Sequence, residues 1–287
     1  MAQDARLYQI GFLALFLLLG VGTWDWSLNL TVVLTAIATC LVAQAVCMAA
    51  LNRWESEAAQ PFDTARLLAS LPSALVTGFG MSLLLRVDHP LTMALAVMGA
   101  IASKFLLRLR DKHLFNPGNF GIVMALLLSG DAWVSPGQWG ESGWYGLLFL
   151  AAGGLVLQKV GRWDTSMAFL GSYALLEAAR NLWLGWTWDV WVHRLTSGSL
   201  LVFALFMITD PRTIPNSRSG RLLWAGAIAL LTFILRNVFF ISTAPFWALF
   251  ALAPLSLLLD WLLPATRFEW SQSALRLPLV SLQKHIA

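Results

Sequence analysis

The sequence is dominated by long apolar runs separated by short polar stretches, and this pattern most restricts the folds open to the chain. Ten runs stand out, at 7–23, 28–51, 67–85, 91–107, 117–132, 144–160, 166–184, 197–209, 221–241 and 246–263. A helix of about 20 apolar residues spans the hydrocarbon core of a bilayer. The sequence therefore predicts an all-α integral membrane protein with about ten transmembrane helices.

The composition supports the same class. Of the 287 residues, 58% are hydrophobic and 12% are charged, whereas an average soluble domain carries about 25% charged residues. This composition excludes a water-soluble enzyme and a disordered chain. We expect the chain to form a single polytopic domain, 1–287, that is surrounded by the lipid bilayer.

The basic residues are distributed unevenly over the predicted loops. With ten spans, fifteen of the nineteen Lys and Arg residues lie on the side that holds both termini, and only Arg86, Arg180, Arg194 and Arg236 lie on the other. Cytoplasmic loops of membrane proteins carry an excess of Lys and Arg. This rule predicts cytoplasmic N- and C-termini. It also explains the net charge of +4 without nucleic acid, which we do not expect as a partner.

The two halves of the chain, 7–132 and 144–263, show a weak similarity. Each contains a glycine-bearing helix that is followed by an Asp close to a Pro, at Asp88 and at Asp210. Five spans in each half would give the halves opposite orientations, which is the layout of an inverted repeat. Small residues at helix contacts produce a similar pattern, so helix packing is the alternative.

Two polar segments interrupt the apolar background. In the first, Lys104 and a basic cluster precede Asn116 and Pro117, and Asn followed by Pro favours a helix start whose free N–H groups suit a carbonyl or an anion. In the second, Thr209 and Asp210 precede several arginines, and a carboxylate near membrane depth marks a functional site by default. The alternatives are a capped helix beside a basic loop, and an Asp that pairs with a neighbouring Arg.

Other polar residues carry less information. Thr77 and Gly78 would admit a planar ligand or a neighbouring helix equally well. Glu177 and Arg180, three residues apart, predict an ion pair along one helix. The four histidines lack ligand spacing, so no metal site is expected, and no residue set indicates hydrolysis or nucleophilic catalysis.

These segments resemble the NqrB/RnfD family, the membrane subunits shared by the sodium-pumping NADH:quinone reductase and the Rnf electron-transport complex. The resemblance rests on 196–221 with its Thr-Asp-Pro turn, on Lys104 placed twelve residues before Asn116, and on 73–78. It implies ten helices in two inverted five-helix repeats, similar to urea and ammonium channels. It also implies electron transfer through flavins, beside partner redox subunits, in an oxidoreductase complex that translocates ions in the bacterial inner membrane.

The chain departs from that family at its covalent flavin. The family esterifies FMN to a threonine in a long segment between spans 5 and 6, whereas residues 131–143 contain no threonine. Covalent FMN is therefore not expected, and the chain is interpreted as a shortened, stand-alone relative. The resemblance still implies a second, non-covalent site for riboflavin or FMN, which we predict near the cytoplasmic side.

The predicted cofactor-binding residues come from all of these segments: Thr77, Gly78, Lys104, Asn116, Pro117, Asn119, Ser197, Gly198, Thr209, Asp210 and Arg221. No catalytic residue is predicted. Two other functions stay open from the sequence: a small-solute transporter or channel of the same fold, and a membrane anchor for a partner redox or biosynthetic enzyme.

Overall fold

The computed structural model describes residues 4–23, 28–55, 63–109, 112–135 and 143–268. Residues 136–142 of the 131–143 segment lie outside the described residues, as do Arg110, Arg276 and Lys284, three of the fifteen basic residues on the predicted cytoplasmic side.

The described residues are mainly helical, and each predicted apolar run overlaps a helix. The helices are α1 (Ala5–Thr23), α2 (Leu30–Glu55), α3 (Thr64–Leu84), α4 (Pro90–Leu106), α5 (Pro117–Leu128), α6 (Gly143–Val160), α7 (Trp163–Leu184), α8 (Trp188–Leu195), α9 (Gly198–Val202), α10 (Arg218–Asn237), α11 (Ala244–Leu252) and α12 (Leu255–Leu262). A π-helical turn, Phe203–Met207, continues α9. Helix α8, which lies outside the predicted runs, has no buried residue.

Two short antiparallel strand pairs qualify the all-α prediction. Strand β1 (Leu85–Val87) pairs with β4 (Ala132–Val134), and β2 (Arg108–Leu109) pairs with β3 (Lys112–His113). Both pairs involve backbone just after a helix end, where N–H and C=O groups have no partner within the helix. The first pair joins the end of α3 to the segment after α5, and the second pair closes the connection between α4 and α5.

The helices are apolar enough for a multi-pass membrane protein. Four described helices are both long and apolar enough to cross a bilayer, namely α1, α2, α3 and α10. Two further spans are possible if bent helix pairs each cross the membrane once, which raises the count to six. The first pair is α8 with α9 and its π-helical turn, bent by 50°, and the second is α11 with α12, bent by 47°. Helices α4, α5 and the 146–160 part of α6 are apolar but shorter. The number ten and the inverted repeat stay predictions.

Close helix contacts depend on small residues. Helix α5 begins as predicted: Asn116 is its N-cap, accepting a hydrogen bond from the N–H of Asn119 at 3.0 Å, and Pro117 is the first helical residue. One turn further, Gly121 lies directly against α4, where an added Cβ would stand 2.7 Å from the carbonyl oxygen of Ala96. This contact brings the start of α5 close to α3 and α4.

Replacing Gly121 with Ala is expected to lower the free energy of unfolding by about 1–3 kcal/mol, because the added methyl overpacks the contact between α4 and α5. Gly99→Ala on α4 is the matched control, since nothing lies within 4 Å of its added Cβ and Ala is the better helix former. Thermal unfolding in detergent measures both variants. Equal stability of G121A and G99A would contradict the close contact.

Candidate functional site

A cavity lies where α1, α3, the end of α4, the start of α5 and the turn after the π-helical turn meet. Its volume is about 90 Å³, and we call it the inner cavity. Six of the predicted site residues line it: Thr77, Lys104, Asn116, Pro117, Thr209 and Asp210. Its other walls are largely apolar and include Leu13, Val76, Met81, Leu84, Val156, Val202 and Phe206.

Lys104 supplies a buried amine to this cavity. Its side chain projects from the last turn of α4 and is 5% exposed. The amine donates hydrogen bonds to the carbonyl oxygen of Ser73, at 3.1 Å, and to the Ser73 hydroxyl, at 3.3 Å. An ammonium group has three N–H donors, so two acceptors on Ser73 leave one donor for a ligand.

Asp210 and Asn116 form the opposite wall. The Asn116 amide donates to the carbonyl oxygen of Met207 at 3.1 Å and to the carboxylate of Asp210 at 3.4 Å. Asp210 also accepts a hydrogen bond from the backbone N–H of Arg212 at 3.1 Å. Burial raises the pKa of Asp210, although that hydrogen bond and the charges of Lys104 and Arg212 oppose the shift.

Two threonine hydroxyls complete the polar lining. Thr77 donates to the carbonyl oxygen of Ser73 and Thr209 to that of Leu205, each at 3.1 Å. Because each hydroxyl proton is used within its own helical segment, these side chains offer a ligand acceptor oxygens. The π-helical turn immediately before Thr209 is a geometry often found at functional sites.

The structure places the other predicted residues elsewhere. Gly78 packs on α2, where an added Cβ would be 2.8 Å from the Cys40 sulfur. The Asn119 amide donates to the carbonyl oxygen of Phe246. Ser197 is the N-cap of α9, directly before Gly198, at the far end of the helical segment that leads to Asp210. None of these lines the inner cavity.

Arg221 is also absent from the lining, for an electrostatic reason. Its guanidinium forms a buried ion pair with Asp164 of α7, with the shortest contact 2.6 Å, and donates to the carbonyl oxygen of Asn216 at 2.7 Å. Asn216 in turn donates its N–H to Asp260 at 2.7 Å. Arg221 therefore holds the turn that carries Asp210 and does not reach the cavity itself.

His113 is a lining residue that the sequence reasoning passed over. It is 7% exposed, and its Nδ1 has no hydrogen-bond partner among the described residues. Burial, together with the charges of Arg212, Arg108 and Lys104, lowers its pKa to about 3, so the ring is neutral at physiological pH. Its position within the basic segment before Asn116 was the available signal.

The match to a known protein family lies in the second half of the chain. Residues 127–264 match the model of the NQR2, RnfD, RnfE family. This part of the chain is similar to that family. The matched residues include the Thr-Asp-Pro turn, whereas Thr77, Lys104 and Asn116 lie before them.

Curated relatives are similar to the chain over shorter stretches. The chain is 36% identical over 98 residues to an ion-translocating oxidoreductase complex subunit of Actinobacillus pleuropneumoniae serotype 5b (strain L20), covering 33% of this chain and 28% of the relative. It is 35% identical over 127 residues to the corresponding Stutzerimonas stutzeri protein, covering 42% and 32%. The chain thus spans less than a third of the length of these relatives.

Asp210→Asn is expected to change how stability depends on pH. The folded-state pKa of Asp210 is raised above the ordinary value of 3.8, so the folded protein binds the proton more tightly than the unfolded chain does. Asp210 therefore stabilises the fold at low pH, and this contribution is lost as the pH rises above about 4. The stability of the native protein relative to D210N should fall over that range, measured by unfolding in detergent. A difference that stays constant or grows with pH would contradict the shift.

Proposed function

We propose that this chain is a membrane electron-transfer protein that binds riboflavin or FMN non-covalently in the inner cavity. The family, and the relatives named as parts of an ion-translocating oxidoreductase complex, support a role in membrane electron transport. The observation that carries the cofactor proposal is Lys104, a buried amine that faces a cavity and has only the two oxygens of Ser73 as hydrogen-bond acceptors among the described residues.

The donors and acceptors of the inner cavity fit an isoalloxazine ring. Lys104 and the Asn116 amide supply donors for ring carbonyl oxygens and nitrogens. Thr77 and Thr209 supply acceptor oxygens, and His113 has a buried ring nitrogen without a described partner. Apolar side chains cover most of the remaining walls, beside Arg6, Gln9 and Arg212, and a largely apolar lining with a small number of polar groups is typical of a cofactor pocket.

A bound flavin would supply the redox chemistry, and the protein would set its potential. The positive charge of Lys104 stabilises negative charge on a neighbouring ring, and Ser73 holds the amine in place. The apolar residues at the inner end of the cavity, Leu13 and Leu84, exclude water there. This apolar end supports a binding site in preference to a polar path through the membrane.

The membrane setting is part of the proposal. Helix α4 packs extensively on α2 and α5, and α10 packs extensively on α7 and α11. In each half, the fourth predicted span thus packs on the second and on the fifth. This shared packing pattern supports ten spans in two inverted repeats. We further propose that the protein lies in the bacterial inner membrane with both termini cytoplasmic, and that partner redox proteins deliver and accept electrons.

The cofactor proposal predicts that the purified protein carries flavin, or takes it up when it is supplied, as measured by visible absorbance and mass. Lys104→Met should weaken binding and make the reduction potential of the bound flavin more negative, because the cation no longer stabilises the reduced anion. Lys159→Met makes the same charge change at an exposed site and should alter neither. Absence of flavin uptake by the folded native protein would refute the proposal.

The topology can be tested separately with single cysteines in a variant in which Cys40 and Cys47 are alanine. A cysteine at Ser219, just inside α10, should react with an impermeant thiol reagent only from the cytoplasmic face of vesicles. A cysteine at Thr187, before α8, should react only from the opposite face. Labelling of both positions from one face would contradict the predicted orientation.

A further inference from the structure

A second, larger cavity adjoins the inner cavity on the side of Arg6 and Arg66. Its volume is about 310 Å³, and we call it the outer chamber. The two cavities share five lining residues: Arg6, Ser73, Lys104, His113 and Arg212. The outer chamber is therefore the approach to the proposed ring site, and a ligand longer than a flavin ring can occupy both.

The outer chamber is strongly cationic. Five basic side chains from four segments of the chain line it: Arg6, Arg66, Lys104, Arg108 and Arg212. The carboxylate of Asp63 is the one acidic group among its described lining residues. Asp63 is the N-cap of α3 and accepts a hydrogen bond from the N–H of Arg66 at 3.0 Å, and Arg6 is paired with Asp4 at 2.6 Å. A positive excess remains and suits a phosphate group.

The outer chamber also contains two buried hydrogen-bond acceptors. The Gln44 side-chain oxygen and His113 Nδ1 both lack a hydrogen-bond partner among the described residues, and Gln44 is only 5% exposed. Both residues line the outer chamber. A buried acceptor without a donor is costly, and hydroxyl groups on a bound ligand would satisfy both.

We propose that the outer chamber binds the phosphate of FMN, and that the ribityl hydroxyls of the same molecule meet Gln44 and His113. This inference rests on the proposed flavin site and selects FMN over riboflavin, which has the same ring and ribityl chain but no phosphate. The linings support it: the inner cavity offers largely apolar walls and Lys104 to the ring, and the outer chamber offers two acceptors to hydroxyls and a cationic lining to a dianion.

The test compares the two flavins on one protein. Flavin-free protein, in detergent without phosphate and at constant ionic strength, is titrated with riboflavin and with FMN by calorimetry or fluorescence quenching. FMN should bind about tenfold more tightly, or better, because charge-assisted hydrogen bonds to the phosphate add to the ring contacts. Arg66→Gln should remove most of that ratio. Arg53→Gln, an exposed charge change on the neighbouring α2 outside the lining, should preserve it.

The outcomes distinguish the proposed phosphate site from the proposed flavin site. Equal affinities for FMN and riboflavin, or a ratio that R66Q leaves unchanged, would overturn the phosphate site while the flavin proposal stands. Uptake of neither flavin would overturn both.

Two further experiments test other sources of a phosphate group, namely inorganic phosphate and a lipid headgroup. Inorganic phosphate should weaken FMN binding and leave riboflavin binding unchanged. If inorganic phosphate stabilises the protein against unfolding while both flavins bind equally, the chamber binds free anions, and the proposal fails. A second comparison uses nanodiscs of phosphatidylcholine and of phosphatidylglycerol. If the preference for FMN is present in phosphatidylcholine but absent in phosphatidylglycerol, a lipid headgroup occupies the chamber, and the proposal also fails.

Discussion

The arrangement at the centre of this protein depends on keeping the amine of Lys104 hydrogen-bonded away from water. A buried cation is costly unless it has acceptors or a partner of opposite charge. Ser73 on α3 provides both acceptors, so the last turn of α4 must lie against α3. That contact in turn places the amine on the wall of a cavity, with the charge of Asp210 attracting it from the other side.

Asn116 connects this centre to the second half of the chain. Its side-chain oxygen caps the first turn of α5, and its amide donates to Met207 and Asp210. One residue thus fixes a helix start and orients the turn that follows the π-helical turn. The ion pair between Arg221 and Asp164 holds the same turn from behind through Asn216. The cavity walls are consequently positioned by polar contacts between helices as well as by apolar packing.

The sequence predicts those parts of the site whose chemistry stands out from an apolar background. Lys104, Asn116 and Asp210 border apolar runs, and capping chemistry or a rare charge identifies them. Residues whose roles depend on long-range contacts are not predictable in this way. Gly78 allows the close contact with Cys40, and Arg221 pairs with Asp164, which lies 57 residues earlier in the chain.

The ion pair predicted along α7 is a second case in which long-range contacts decide the partner. Glu177 pairs with Arg194 at 3.0 Å and accepts a hydrogen bond from Asn237, while Arg180 stacks on Trp186. The three-residue spacing of Glu177 and Arg180 allowed an i,i+3 pair, but partners on α8 and α10 compete for the same carboxylate. The helices themselves were predictable, because apolar runs report burial or lipid contact directly. The short strand pairs were not, since they satisfy backbone groups at helix ends.

The family match and the site overlap only in part, and this determines what each can support. The family match covers 127–264 and includes Asp210, whereas Lys104, Asn116 and the α3 wall precede it. The inner cavity exists only because α3, α4 and α5 pack against the turn in the matched region. The similarity to the family alone therefore supports only the proposed role in membrane electron transport, and the specific ligand must be argued from the packing of the two regions. The buried amine, the two acceptors without a partner among the described residues and the cationic chamber are the contacts on which the FMN proposal depends.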